Sequence, residues 1–202
     1  MFWYEEEVQH LEQKVGNLLD ASGSVVFYGS SSIRLWETLA QDFPTLKTLN
    51  LGFGGSTLAA CTWFFERIVV PANPQAIIFY AGDNDLGDGR LAEEVYLFFC
   101  SLHQKVREYF PEVPLTFLSI KPSPVRWSII DRIRYANSLI AKEIENLPYT
   151  QYIDINTKML NTNGLPRQEL FDPDGLHMNR QGYEIWKRAI LDQAFICQQQ
   201  NA

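Results

Sequence analysis

The chain is short of the residues that would mark it for several kinds of work. It has only three cysteines, Cys61, Cys100 and Cys197, odd in number and widely separated. That spacing offers neither a disulfide framework nor a zinc clip, and it reads as the reduced thiols of a cytoplasmic protein. Basic residues are outnumbered, 17 Lys and Arg against 24 Asp and Glu, which gives a formal net charge of -7. With no Lys/Arg run either, the chain lacks the basic face that general nucleic-acid binding needs to neutralise phosphates. Long apolar runs are missing as well. The purest, from Ala76 to Ala81, falls far short of the roughly 20 residues that cross a bilayer, so no membrane span is expected. The opening residues Met1-Phe2-Trp3-Tyr4-Glu5-Glu6-Glu7 carry neither the basic nor the apolar part of a secretory signal. No repeat and no low-complexity linker interrupts the sequence. One domain over 1–202 is therefore expected, with an amphipathic N-terminal helix over 1–20 packed on a core spanning 24–197.

What the chain does have is a regular alternation. Short β-rich runs at Val25–Tyr28, Thr48–Leu51, Ala76–Ala81, Leu115–Ile120 and Tyr152–Ile155 read as five strands. Their nearly continuous apolar character suits a parallel sheet covered on both faces. Helical patterns fall between them at about Ile33–Phe43, Leu58–Val70, Ala92–Phe110 and Ser128–Leu147. A final one runs from Arg180 to Cys197, and an acidic amphipathic stretch over Tyr4–Leu19 precedes the first strand. Prolines 44, 71, 74, 111 and 114 stand at the joins, where helices should stop. The pattern implies an α/β fold, a three-layer α/β/α sandwich. In such folds ligands bind beyond the carboxyl ends of the strands.

Four loops at such places carry candidate chemistry. Gly29-Ser30-Ser31-Ser32 follows the first strand and opens a helix, where unpaired N–H groups and the helix dipole favour an alkoxide and an oxyanion. A glycine turn with N-cap serines would give the same string without function. Gly52-Phe53-Gly54-Gly55-Ser56-Thr57 follows the second strand. Its glycines permit tight turns and close ligand approach, and the missing Gly-Lys-Ser/Thr excludes a P-loop. Gly82-Asp83-Asn84-Asp85 follows the third, where an uncharged amide can donate to an oxyanion or simply end the strand in an Asx turn. Asp172-Pro173-Asp174-Gly175-Leu176-His177 precedes the last helix. A carboxylate three residues before a histidine can hold its Nδ1–H and free Nε2 as a base. Of the other histidines, His10 lies in the polar N-terminal segment and His103 in mid-helix.

The four blocks, in this order, resemble the SGNH/GDSL hydrolase superfamily. The likeness runs from about Val25 to the last helix. Phe27-Tyr28-Gly29-Ser30-Ser31-Ser32-Ile33 matches the nucleophile block, with Ser31 in the nucleophile position. Gly55 matches the glycine block, Asn84 the Gly-x-Asn-Asp block, and Asp174 with His177 the Asp-x-x-His pair. Ser30 departs from the family's usual Asp before the nucleophile, which leaves the pinning of that turn open and makes Ser30 and Ser32 rival nucleophiles. The run Gly29–Trp36 together with Leu118-Ser119-Ile120-Lys121-Pro122-Ser123-Pro124 resembles an intracellular bacterial subgroup of lipase/esterase type. The resemblance implies a flavodoxin-like five-stranded parallel sheet ordered 2-1-3-4-5. It also implies Ser31, Asp174 and His177 as a catalytic triad, with the Ser31 N–H, the Gly55 N–H and the Asn84 amide as the oxyanion hole.

The expected reaction is hydrolysis of a small soluble carboxylic ester through an acyl-enzyme, with no metal or organic cofactor. Phe53 and Trp127 are the candidate substrate-contacting residues, with Trp63 and Phe64 as further apolar side chains near strand ends. Lys121 and Arg126, after the fourth strand, could meet an anionic group, but read first as solvated loop charges. An acyltransferase on the same machinery and a non-catalytic flavodoxin-like binding module are the alternative readings. Phe2-Trp3-Tyr4 is apolar enough to pack on its own body or in a homo-oligomer.

Overall fold

A computed structural model of the chain describes residues 1–18 and 21–194. After a 3₁₀ turn at Phe2–Tyr4 come α1 (Glu5–Gly16), β1 (Val25–Gly29), α2 (Ser31–Arg34), α3 (Leu39–Asp42), β2 (Thr48–Gly52) and α4 (Leu58–Ile68). Then follow β3 (Ala76–Tyr80), α5 (Asp83–Gly87), α6 (Ala92–Tyr109), β4 (Leu115–Leu118), α7 (Ile130–Ile144), β5 (Thr150–Ile153) and α8 (Arg180–Gln193). All strand pairs are parallel and the sheet order is β2-β1-β3-β4-β5. This is the expected three-layer α/β/α fold.

Alternation along the strands splits the core in two. On β1, Val26 and Tyr28 face one layer with Phe53, Phe64, Phe65, Phe79, Phe99 and Phe117, closed by α1, α4, α6 and α7. Val25 and Phe27 face the other, with Trp36, Phe43, Tyr80 and Trp186, closed by α2, α3 and α8. Each fully buried aromatic of this kind contributes roughly 3–5 kcal/mol when measured by truncation.

Register positions the candidate site. Gly29 is the partner of Gly52 on β2 and of Tyr80 on β3, so three strands end level. The loops after them therefore leave the sheet side by side, at the switch point between β1 and β3 where α/β folds open a crevice. The junction is tied by Ser30 N–H to Tyr80 O (3.0 Å) and Phe53 N–H to Gly29 O (3.0 Å). Gly29 has a φ of +141°, and a Cβ there would stand 1.8 Å from the Tyr80 carbonyl oxygen, so only glycine closes this junction.

Three elements depart from the pattern. The helix expected over Ile33–Phe43 is two single turns, α2 and α3. Trp36 turns inward against Phe27, Phe43, Tyr183 and Trp186, and its indole N–H donates to Asp42 Oδ2 (2.8 Å). Aromatic burial outweighs the continuation of a short helix. β5 begins at Thr150 rather than Tyr152, because Thr150 pairs with Leu115, and the N–H groups of Ile155 and Asn156 bend to Ser119 Oγ. β4 stops at Leu118, where Asn137 takes over both backbone groups of Ile120 (2.8 and 2.9 Å). The expected extensions to Leu19 and Cys197 lie outside the described residues.

Candidate active site

The carboxyl ends of the strands bring the four blocks together. Ser31 opens α2 directly after the Gly29 junction, and its Oγ lies 3.1 Å from His177 Nε2. On the other side of the ring, His177 Nδ1 is 2.5 Å from Asp174 Oδ2. An ionised carboxylate only accepts, so Nδ1 carries the proton and Nε2 is left as an acceptor facing the serine hydroxyl. The neighbouring serines are buried: Ser30 and Ser32 are both 1% exposed, and Ser30 Oγ has no hydrogen-bond partner.

The histidine loop is locally wired. Asp172 N–H bonds His177 O (2.8 Å), and Phe171 pairs with Met178 in an isolated antiparallel bridge, which closes 171–178 into a tight bracket. Asn179 then caps α8 by accepting from the N–H groups of Gln181 and Gly182. Asp174 Oδ1 accepts from the N–H groups of Leu176 (2.8 Å) and His177 (2.9 Å). Burial pushes the Asp174 carboxyl up, but these two bonds and the imidazole outweigh it and hold the group down at about 2. The pair remains open to water, with the Asp174 side chain 48% and the His177 side chain 28% exposed.

The glycine and asparagine blocks are built differently. Gly55 has a φ of +63° and open space where a Cβ would point. Among the described residues, nothing accepts a hydrogen bond from the backbone N–H of Gly55 or of Ser31. Asn84 Nδ2 donates one proton to Ser56 O (3.0 Å) and keeps a second. Asp85 Oδ2 accepts the Leu58 N–H (2.7 Å) at the start of α4, fastening the asparagine block to the glycine block. Burial lifts the Asp85 carboxyl to about 6 against the pull of these helix N–H groups.

Two further sets of residues hold this region, and the first carried no signal in the sequence. From the N-terminal segment, the Tyr4 hydroxyl donates to Gly55 O (3.1 Å), and Glu7 Oε2 accepts the Gly54 N–H (2.7 Å). Arg67 anchors that segment to α4 through Glu5 and Glu12. Tyr4 thus packs on its own body, against Phe53 and Phe64, while Phe2 and Trp3 stay exposed. The second set corrects an expectation. Lys121 and Arg126 are not solvated loop charges: Lys121 is 1% exposed and Arg126 18%, and both pair with the buried Asp83 at 2.8 and 3.0 Å. Burial pushes the Asp83 carboxyl up, and the two cations more than reverse it.

Of the candidate substrate contacts, Phe53 is corrected. It has no exposed surface and is packed by the rings of Tyr4, Tyr28 and Phe64, so it belongs to the core. Phe64 is buried with it, whereas Trp63 is exposed on α4. Trp127 does border open space, a cavity of about 450 Å³ shared with Pro124, Asn161, Leu165 and Arg167.

The model of the GDSL-like lipase/acylhydrolase family matches residues 21–185, most of the chain. The chain belongs to the GDSL-like lipase/acylhydrolase family. It is thereby a hydrolase acting on ester bonds. None of the curated proteins matches the sequence. Among solved structures, a GDSL-like lipase from Bacteroides thetaiotaomicron is 19% identical with a TM-score of 0.75, covering 92% of this chain and 95% of that one. A carbohydrate esterase of family 3 from Talaromyces cellulolyticus is 16% identical with a TM-score of 0.69, covering 83% and 94%. A lipase/acylhydrolase from Enterococcus faecalis is 18% identical with a TM-score of 0.66, covering 84% and 94%. At these identities the likeness is one of fold. No described helix is long and apolar enough to cross a membrane.

Proposed function

We propose that this GDSL-family chain is a serine esterase that hydrolyses a small soluble carboxylic ester through an acyl-enzyme on Ser31. The reading rests on one observation above the others: Ser31 Oγ, His177 and Asp174 stand in line at 3.1 and 2.5 Å. His177 Nε2 takes the Ser31 proton as Oγ attacks the ester carbonyl. Asp174 holds the ring and stabilises its cation. The oxyanion forms against the N–H groups of Ser31 and Gly55 and the remaining Asn84 Nδ2 proton. The alcohol leaves with the proton from His177, and water admitted at the open face of the ring then attacks the acyl-enzyme by the same route. The cavity beside Trp127 adjoins the histidine loop through Pro124, which lies against Gly175, and it offers room for part of a substrate. The unpaired thiols of Cys61 and Cys100 fit a reducing, cytoplasmic setting.

A fluorophosphonate probe tests the reading directly. A covalent adduct on Ser31, located by peptide mass spectrometry and lost in His177→Ala, is the expected result. A folded protein that takes no adduct, or takes it on Ser30 or Ser32, overturns the assignment.

A further inference from the structure

The amide assigned to the oxyanion hole has a cation behind it. Arg126 Nη2–H donates to Asn84 Oδ1 at 2.9 Å, while Asn84 Nδ2 donates to Ser56 O at 3.0 Å. The two contacts demand the same orientation of the carboxamide. Flipped, it would press its N–H₂ against a guanidinium and its oxygen against a carbonyl, repulsive at both ends. A donor on an amide oxygen also draws electron density from the nitrogen, so the free Nδ2–H becomes a stronger donor.

The guanidinium is itself fixed. Arg126 Nη1 lies 3.0 Å from Asp83 Oδ2, and the same oxygen takes Lys121 Nζ at 2.8 Å. One carboxylate thus faces two cations in a site where Asp83 and Lys121 are 6% and 1% exposed. Lys121 is also close to the Tyr80 hydroxyl (3.4 Å), at the end of the strand that Gly29 joins. Pairing a single negative charge with one buried and one partly buried positive charge leaves positive potential unmatched on the Asn84 side, where screening is weaker than in open water. The segment that carries Arg126 reaches the other half of the site too, because the Val125 N–H bonds Gly175 O (3.2 Å) between Asp174 and His177. Pro122 and Pro124 limit its freedom.

We infer that Arg126 is a positioning residue for the oxyanion hole, acting through the Asn84 carboxamide, which it orients and polarises while Asp83 and Lys121 hold it in place. The inference rests on the serine-esterase reading for its consequence in turnover, but the contact itself can be tested without any substrate.

Turnover of 4-nitrophenyl acetate by the full chain is measured for Arg126→Ala, Arg126→Lys, Asn84→Ala and the Arg126→Ala/Asn84→Ala double variant. Arg126→Ala is expected to lower kcat about tenfold or more with KM changed less than about twofold, because the lost interaction forms only in the transition state. In the Asn84→Ala background the same change should cost less than about twofold, since coupled residues are not additive. Added guanidinium ion should restore part of kcat to Arg126→Ala and none to Asn84→Ala. Arg126→Lys, which keeps the charge without the fork, should fall between wild type and Ala. Losses that multiply in the double variant overturn the inference, and so does a loss confined to KM, which would make Arg126 a substrate contact. The side-chain amide signals of Asn84 in ¹⁵N NMR read the contact directly. They should shift and exchange faster with water in Arg126→Ala, and in Arg126→Lys should Ala fail to fold. Unchanged signals refute the contact. A wild type that hydrolyses no ester and takes no probe at Ser31 would break the esterase reading, while the NMR result would still decide this one.

Discussion

The two halves of the site are held by opposite means. The half proposed to transfer protons is local and wet: Asp174 and His177 lie three residues apart in one hairpin-like bracket, and about half of the Asp174 side chain meets solvent. The half proposed to hold the oxyanion is non-local, and its asparagine is buried, at 9% exposure. Asn84 is bonded to Ser56 and Arg126, 28 and 42 residues away, and Tyr4 reaches Gly55 across 51 residues. A base that must exchange protons and admit water gains from exposure. Donors for a developing oxyanion gain from being fixed beforehand in a water-poor setting, because they then need no reorganisation during the reaction. The comparison teaches that a short turn suffices to aim the imidazole of His177, whereas fixing the Asn84 carboxamide recruits the body of the fold.

The sharpest way to break the contrast is to remove each half in turn. Ser31→Ala should lower kcat by about 10⁶, and His177→Ala by a similar factor, since the residues act as a unit. Steady-state turnover checks this, with the fold verified by circular dichroism. A Ser31→Ala enzyme that keeps a tenth of its activity would remove the proton-transfer half altogether. Next in size is Asn84→Ala, expected to lower kcat by roughly 10²–10³, about 2.7–4 kcal/mol of barrier, with the pH profile unchanged in shape. Wild-type turnover in that variant would mean that the backbone N–H groups stabilise the oxyanion unaided.

Asp85 probes how dry the surroundings of Asn84 are. Its folded value of about 6 lies above the roughly 3.9 of an unfolded aspartate, so the folded protein holds the extra proton between those values. Its contribution is fully present below pH ~4 and is lost as pH rises through about 6, a decline of about 3 kcal/mol at most. Urea unfolding midpoints at intervals across this window should show a steeper fall in the wild type than in Asp85→Asn. Equal slopes would show that Asp85 is solvated like the histidine-loop carboxylate, and the contrast would fail at this point. The smallest effect is expected at Glu7→Gln, which weakens the charge-assisted bond from the Gly54 N–H. One such bond, at about 0.5–1.5 kcal/mol, corresponds to a two- to tenfold loss in kcat with little change in thermal midpoint. Should Glu7→Gln match Asn84→Ala instead, α1 would count as part of the catalytic machinery rather than its support.

Most of the architecture was legible because its cues are short-range. Apolar runs alternating with helical patterns give five parallel strands, and a Gly-Ser turn between strand and helix is visible as a string. Asp-x-x-His was legible for the same reason, since a bracket of eight residues closes on itself. The misread boundaries share one cause. Helix continuity at Trp36 and the ends of β4 and β5 were settled by partners far along the chain: the Trp186 cluster, Asn137 and Ser119. Phe53 read as a candidate wall because sequence shows its strand-end position and not the three rings around it.

The sequence by itself determined the layered architecture, the strand-end placement of Ser31, Gly55 and Asn84 and the pairing of His177 with Asp174, all governed by neighbours within a few residues. Which of three consecutive serines meets the base was decided only by tertiary structure, through the burial of Ser30 and Ser32. The same holds for Lys121 and Arg126. A loop cation near an acidic block reads as solvated until the sheet brings Asp83 against it, because burial and charge pairing depend on what the rest of the chain packs around the site.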